Sequence, residues 1–116
     1  MTDRDLATAA DVARKLLAFY AGDASRWTQG SRARDANGSG VPWNSPKAVC
    51  WCDAGARLAV GCDDEECAAY VTVFRQAFGG VSAMRWNDDD IRTFKDVVAA
   101  LERIAALSPA TTKDGA

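Results

Sequence analysis

Apolar side chains recur at three- and four-residue steps through the first twenty positions. Leu6, Ala9, Ala10, Ala13, Leu16, Leu17 and Tyr20 form one stripe, which predicts an amphipathic helix over residues 3–20. Thr2 suits its N-cap, and Asp5 lies in the first turn, where the helix dipole favours negative charge. Ala21-Gly22-Asp23 stops it. The periodicity then vanishes over residues 23–44, which hold Gly30, Gly38, Gly40, Pro42, Trp27 and Trp43. It returns after Ser45-Pro46, a dipeptide suited to an N-cap and first helical position, so a second helix is expected over residues 45–60. Val49, Cys52, Ala56, Ala59 and Val60 share one face of that helix, and Trp51, Gly55 and Leu58 widen it. Cys52 and Gly55 are therefore expected to pack against neighbouring helices. Cys50, Asp53, Ala54 and Arg57 are left on the outer arc, where Asp53 and Arg57 make an i,i+4 pair.

Asp63 with Glu66 reads as an N-cap and its N3 partner, opening a third helix that carries Cys67, Tyr70, Val71, Phe74, Ala77 and Phe78. Gly79-Gly80 ends it, and residues 81–86 read as non-helical. The last helix holds Phe94, Val97, Val98, Leu101, Ile104 and Ala105. Its start falls at one of the caps in residues 87–90 or at Thr93 with Asp96, and Ser108-Pro109 closes it. No segment alternates as a half-buried strand does. The expectation is an all-α fold. It has a single four-helix domain over residues 1–107, a long ordered loop between helices 1 and 2, and a disordered tail over residues 108–116.

Composition narrows the chemistry. The 116 residues contain no histidine, which excludes a Ser-His-Asp triad, a Cys-His dyad and any His-containing zinc or haem site. The polar N-terminus lacks the apolar stretch of a secretion signal, and no run is long enough to span a membrane, so a cytoplasmic protein is expected. The four cysteines are then thiols rather than a disulfide framework. The net charge is only −2, but it is unevenly spread. Arg26, Arg32, Arg34, Lys47 and Arg57 face only Asp35 and Asp53 in their stretch, whereas residues 63–66 and 88–90 are wholly acidic. Such a dipolar surface suits a protein partner and disfavours nucleic acid, which asks for a larger basic excess.

Each chemical motif meets a plainer explanation. Cys50, Cys52, Cys62 and Cys67 could form a four-thiolate structural zinc site, but residues two apart on a helix point in nearly opposite directions. No metal and no cofactor are expected. Asp35-Ala36-Asn37-Gly38-Ser39-Gly40 imitates the start of a calcium loop, yet Pro46 stands where the bidentate glutamate belongs. Asp88-Asp89-Asp90 fits a helix start. Arg26, Arg32 and Arg34 interleave with Trp27 as in single-strand binders, without their net positive charge.

Trp27-Thr28-Gln29-Gly30, Ala33-Arg34-Asp35, Trp51-Cys52 with Gly55-Ala56, and Trp86-Asn87-Asp88 occur in that order. Together with Val97 and Leu101 they resemble a family of small bacterial and phage proteins that carries only a domain-of-unknown-function label. The resemblance implies no activity. It marks the Trp positions and Asn87-Asp88 as framework, with Trp27, Trp51 and Trp86 able to meet in one aromatic cluster or to floor a pocket. The resulting expectation is a non-catalytic binding or adaptor protein, in one version a phage-encoded inhibitor of a host protein. Its binding residues would be Trp27, Arg32, Arg34, Asp35, Trp43, Trp86 and Asp88. The alternatives are a small-molecule or enzymatic pocket around Trp27, Arg34, Trp86 and Asp88, and a zinc protein built on the cysteines.

Overall fold

The structure, a computed structural model, describes residues 1–109. Helix α1 spans Asp3–Tyr20 and opens with a complete capping box. The Asp5 N–H donates to Thr2 Oγ1, and the Thr2 N–H donates back to Asp5 Oδ2, both at 3.1 Å. Its stripe of Ala9, Ala13, Leu16 and Tyr20 is buried, and the helix packs on α3 (Asp64–Ala77) and α5 (Phe94–Ala105). Those two helices start with the same device, built from Asp63 with Glu66 and from Thr93 with Asp96. Arg14 of α1 closes α5, where a cation complements the helix dipole. Its Nη1 donates to the carbonyls of Ala105 at 2.8 Å and Ser108 at 3.0 Å, and its Nη2 to that of Pro109 at 3.1 Å. Residues 108 and 109, expected in a disordered tail, are thus fastened to α1; the rest of that tail lies outside the described residues.

The second helix is shorter than its periodicity predicts. Ser45 and Pro46 occupy the first two positions of a β-turn, closed by the Ala48 N–H on the Ser45 carbonyl at 3.1 Å. Proline's fixed φ suits that turn position as well as a helix start, so the dipeptide does not distinguish them. The chain then forms strand β2 (Cys50–Trp51), antiparallel to β1 (Ala33–Arg34), with Ala33 opposite Trp51 and Arg34 opposite Cys50. The N–H groups of Val49 and Cys52 extend the pairing to the carbonyls of Arg34 (2.9 Å) and Arg32 (3.2 Å), which takes them away from any helix. Helix α2 begins only at Asp53 and ends at Ala59, with Cys52 as its N-cap. A further short helix, α4 (Ala83–Asn87), capped by Ser82, occupies a stretch expected to be non-helical. The fold is therefore mostly helical with a small two-stranded sheet, not all-α, and among the described residues it has five helices rather than four.

Gly55 and Cys52 are buried, as their places on the second helix require, but the surface they meet is a loop. A Cβ on Gly55 would collide with the Arg32 carbonyl oxygen and lie 2.8 Å from its carbon. Only glycine lets α2 approach the incoming backbone this closely. Of the three framework tryptophans, Trp27 and Trp51 share one aromatic run through Phe19, Tyr20 and Phe94, and Trp86 packs apart from them. Trp51 packs edge-on against Phe19 at 4.9 Å, Trp27 against Phe94 at 6.3 Å, and Trp86 against Phe74 and Phe78 at 5.4 and 5.5 Å.

Candidate functional site

The long connection between α1 and α2 is held at its base by α4. The Trp27 indole N–H donates to Asn87 Oδ1 at 2.7 Å, and Asn87 Nδ2 donates to the Thr28 carbonyl at 3.1 Å and to Asp88 Oδ1 at 3.0 Å. Asp88 Oδ1 also accepts the Gly30 N–H at 3.0 Å. Gln29 Nε2 reaches the carbonyls of Asn87 and Asp89, both at 2.8 Å. Asn87 is almost wholly buried, and its amide completes this network. Trp27→Phe is expected to cost about 1–3 kcal/mol, because the buried Asn87 oxygen loses its donor while the ring packing survives. Urea unfolding of the variant checks this; an unchanged midpoint would show that water replaces the indole.

Arg34 belongs to the same fastening. Its Nε donates to Thr28 Oγ1 at 3.1 Å, its Nη2 to the Gln29 carbonyl at 2.9 Å and its Nη1 to the Gly38 carbonyl at 3.0 Å. Arg26 lies over Phe19 and Trp51, 4.7 and 5.1 Å from the ring centroids, while its Nε donates to the Phe19 carbonyl. Arg92 stacks on Trp86 at 3.8 Å and donates from Nε to the Trp86 carbonyl. The cations at 26, 34 and 92 are thus committed to holding the chain.

Beyond this base, residues 35–49 form a closed loop whose ends meet at the Arg34–Cys50 pair. Asp35 folds its first turn, with Oδ1 accepting the N–H groups of Asn37 at 2.9 Å and Ser39 at 3.0 Å. This turn chemistry uses the residues that imitate a calcium loop. The Trp43 carbonyl accepts the Trp51 indole N–H at 2.9 Å, which ties the loop's middle down to β2. Arg32, Pro42, Asn44, Pro46, Lys47 and Val49 remain exposed.

A second polar assembly lies in the core, where the residue pattern placed an outer arc. Asp53 and Arg57 are each only 8% exposed. Arg57 Nε donates to Asp53 Oδ2 at 3.0 Å, and the Tyr70 hydroxyl of α3 donates to Oδ1 at 2.9 Å. Burial pushes the Asp53 carboxyl up, against the pull of Arg57 and Tyr70. Burial also pushes the Tyr70 hydroxyl well up, helped by the adjacent carboxylate, so it stays a donor. With both oxygens of Asp53 engaged and Tyr70 wholly buried, the trio braces α2 against α3.

Trp27, Arg34 and Asp88 therefore do converge with the α4 end, but as the loop's fastening. None of Trp27, Arg34, Trp86 and Asp88 lines the groove of about 970 Å³ that runs between α1 and α3 among Arg4, Asp11, Lys15, Glu65 and Glu66. The cysteines occupy different settings. Cys50 lies in β2, not on a helix, while Cys52 Sγ accepts the Gly55 N–H at 3.5 Å. Among the described residues no three His, Cys, Asp or Glu side chains are grouped to hold a metal ion. Nor is any described helix long and apolar enough to cross a membrane. Asn87, Gln29 and Arg92 were not among the expected binding residues, although Asn87 and Gln29 stand in the Trp86-Asn87-Asp88 and Trp27-Thr28-Gln29-Gly30 motifs.

Fold and site together define a small, mostly helical protein that fastens one irregular loop at its surface. Over residues 1–107 the chain matches DUF6197, a family of unknown function, and it belongs to that family. No curated protein and no solved structure matches it.

Proposed function

We propose that this is a non-catalytic binding protein that contacts a partner protein through the loop of residues 35–49 together with Arg32. The observation that supports this reading is the way the loop is held. Its base is closed by the β1–β2 pair, and its interior is fastened by Asp35, Arg34 and the Trp43 carbonyl. Its exposed side chains are left free of structural duty. A connector of this length, ordered without helices of its own, is commonly a recognition element, and holding it rigid lowers the entropy lost on binding. Arg32 and Lys47 are its exposed cations, which fits an acidic patch on the partner. Arg34 is part of the fastening and is excluded from that contact.

Reversing both exposed charges, Arg32→Glu with Lys47→Glu, should shift stability by no more than about 0.5 kcal/mol, the usual effect at the surface. It should weaken partner capture about tenfold, the equivalent of about 1.4 kcal/mol. A quantitative pull-down from native cells, with and without nuclease, reads this out. Arg4→Glu with Arg75→Glu on α1 and α3 serves as the control. Equal capture by the loop variant and the control would sink the proposal, and loss of capture on nuclease treatment would replace the protein partner by nucleic acid.

A further inference from the structure

Two thiols lie at the start of α3. Asp63 is the N-cap of that helix, so Cys62 occupies the N′ position and Cys67 the N4 position. Side chains at N′ and N4 pack together over a capped first turn, the arrangement known as a hydrophobic staple. The cap that enforces it is complete. The Glu66 N–H donates to Asp63 Oδ1 at 2.8 Å, the Asp63 N–H to Glu66 Oε1 at 3.0 Å, and the Cys67 N–H to the Asp63 carbonyl at 2.9 Å. Cys62 is anchored from the other side by its N–H on the Arg57 carbonyl at 3.1 Å. Cys62 belongs to the apolar core, and Cys67 packs against that same core while remaining half-buried. The other pair is differently placed: Cys50 Sγ lies 3.9 Å from the Arg34 carbonyl, and Cys52 Sγ serves the cap of α2.

We propose that Cys62 and Cys67 form a modification site, a dithiol that a peroxide converts to a disulfide across the first turn of α3. Cys67 is the more accessible of the two, half-buried where Cys62 is nearly enclosed, and so meets the peroxide first. Its sulfur attacks one peroxide oxygen; the S–O bond forms, the O–O bond breaks, and the departing hydroxide takes a proton to leave as water. The Cys62 sulfur then attacks the resulting sulfenic acid. The S–S bond forms, the S–O bond breaks, and the oxygen leaves as a second water with the Cys62 proton. Two thiols and one hydrogen peroxide thus give one disulfide and two waters. Cys62 is nearly enclosed, which shields it from the peroxide and leaves the first attack to Cys67, and its thiol, pushed up to about 11 by burial beside Glu66 and Cys67, brings its proton to the second step. The product would lock the first turn of α3, which forms one wall of the α1–α3 groove.

The folded full-length chain treated with hydrogen peroxide, then alkylated with N-ethylmaleimide and digested with trypsin, tests this directly. Cleavage after Lys47, Arg57 and Arg75 puts Cys50 and Cys52 in one peptide and Cys62 and Cys67 in another. The expected result is a 58–75 peptide lighter by two hydrogens and carrying no maleimide, beside a 48–57 peptide carrying two. In Cys62→Ser, Cys67 should instead be trapped as a sulfenic acid by dimedone. Retention of both maleimides on 58–75, oxidation of Cys67 to sulfinic acid without pairing, or a bridge between the two peptides would each overturn the proposal.

Discussion

Replacing Asp53 by alanine is expected to lower the unfolding free energy by about 3–5 kcal/mol, a large fraction of what a domain of this size possesses. The loss comes less from the ion pair itself than from what is left behind. Arg57 would keep its charge at 8% exposure with its Nε donor unmet, and the wholly buried Tyr70 hydroxyl would lose its acceptor. Tyr70→Phe removes only one of these bonds and should cost about 1.5–3 kcal/mol, the usual range for a hydrogen bond to a charged group. Because both substitutions strip the same hydrogen bond, the double variant should lose less than the two single losses together. Denaturant unfolding of the three variants measures the coupling. If Asp53→Ala costs no more than Asp64→Ala, a change at an exposed first-turn acid, the pair is solvated and the brace between α2 and α3 does not exist.

Gly55→Ala should also be severe, with a loss of about 3 kcal/mol or more, at the upper end of what overpacking costs. In an ordinary helix interior the same change would stabilise by about 0.5–1 kcal/mol, so the sign itself is diagnostic. Here the new methyl would press on the Arg32 carbonyl, which accepts the Cys52 N–H at 3.2 Å and cannot retreat without breaking the β1–β2 pairing. A thermal melt decides, and an unchanged or raised midpoint would mean that α2 and the loop stand further apart. A loop loosened by this route should also be cut by proteases within residues 35–49 before the helices are.

The three long helices were legible because their ends are written locally. Thr2 with Asp5, Asp63 with Glu66 and Thr93 with Asp96 each close a capping box within four residues, and the apolar stripes behind them have one face to bury. The middle of the chain resisted for the opposite reason. Ser45-Pro46 satisfies a turn and a helix start equally well, and what decides is the pairing of Cys50–Trp51 with Ala33–Arg34, some sixteen residues away in sequence. The outer arc of the second helix failed likewise. Asp53 and Arg57 were visible as an i,i+4 pair, but nothing nearby announced that Tyr70 would cover them. Among the proposed binding residues, Trp27, Arg34 and Asp88 were recognisable as belonging together. Trp27 reaches the Asn87 side chain, Arg34 the Gln29 carbonyl and Asp88 the Gly30 N–H, and only the folded chain reveals that these bonds fasten the loop.

The Arg34–Cys50 pair has a consequence for how such a chain can change. Once the ends of a loop are joined by a ladder, the entropic cost of altering what lies between grows only slowly, by about 0.6 kcal/mol for each doubling of its length. The segment around residues 36–47 sends no side chain into the helical core, while the Trp27–Asn87 and Asp53–Tyr70 assemblies lie entirely outside it. Insertions, deletions or wholesale replacement there should leave the scaffold standing. The segment is thus an exchangeable part of the scaffold, open to grafting as readily as to point substitution.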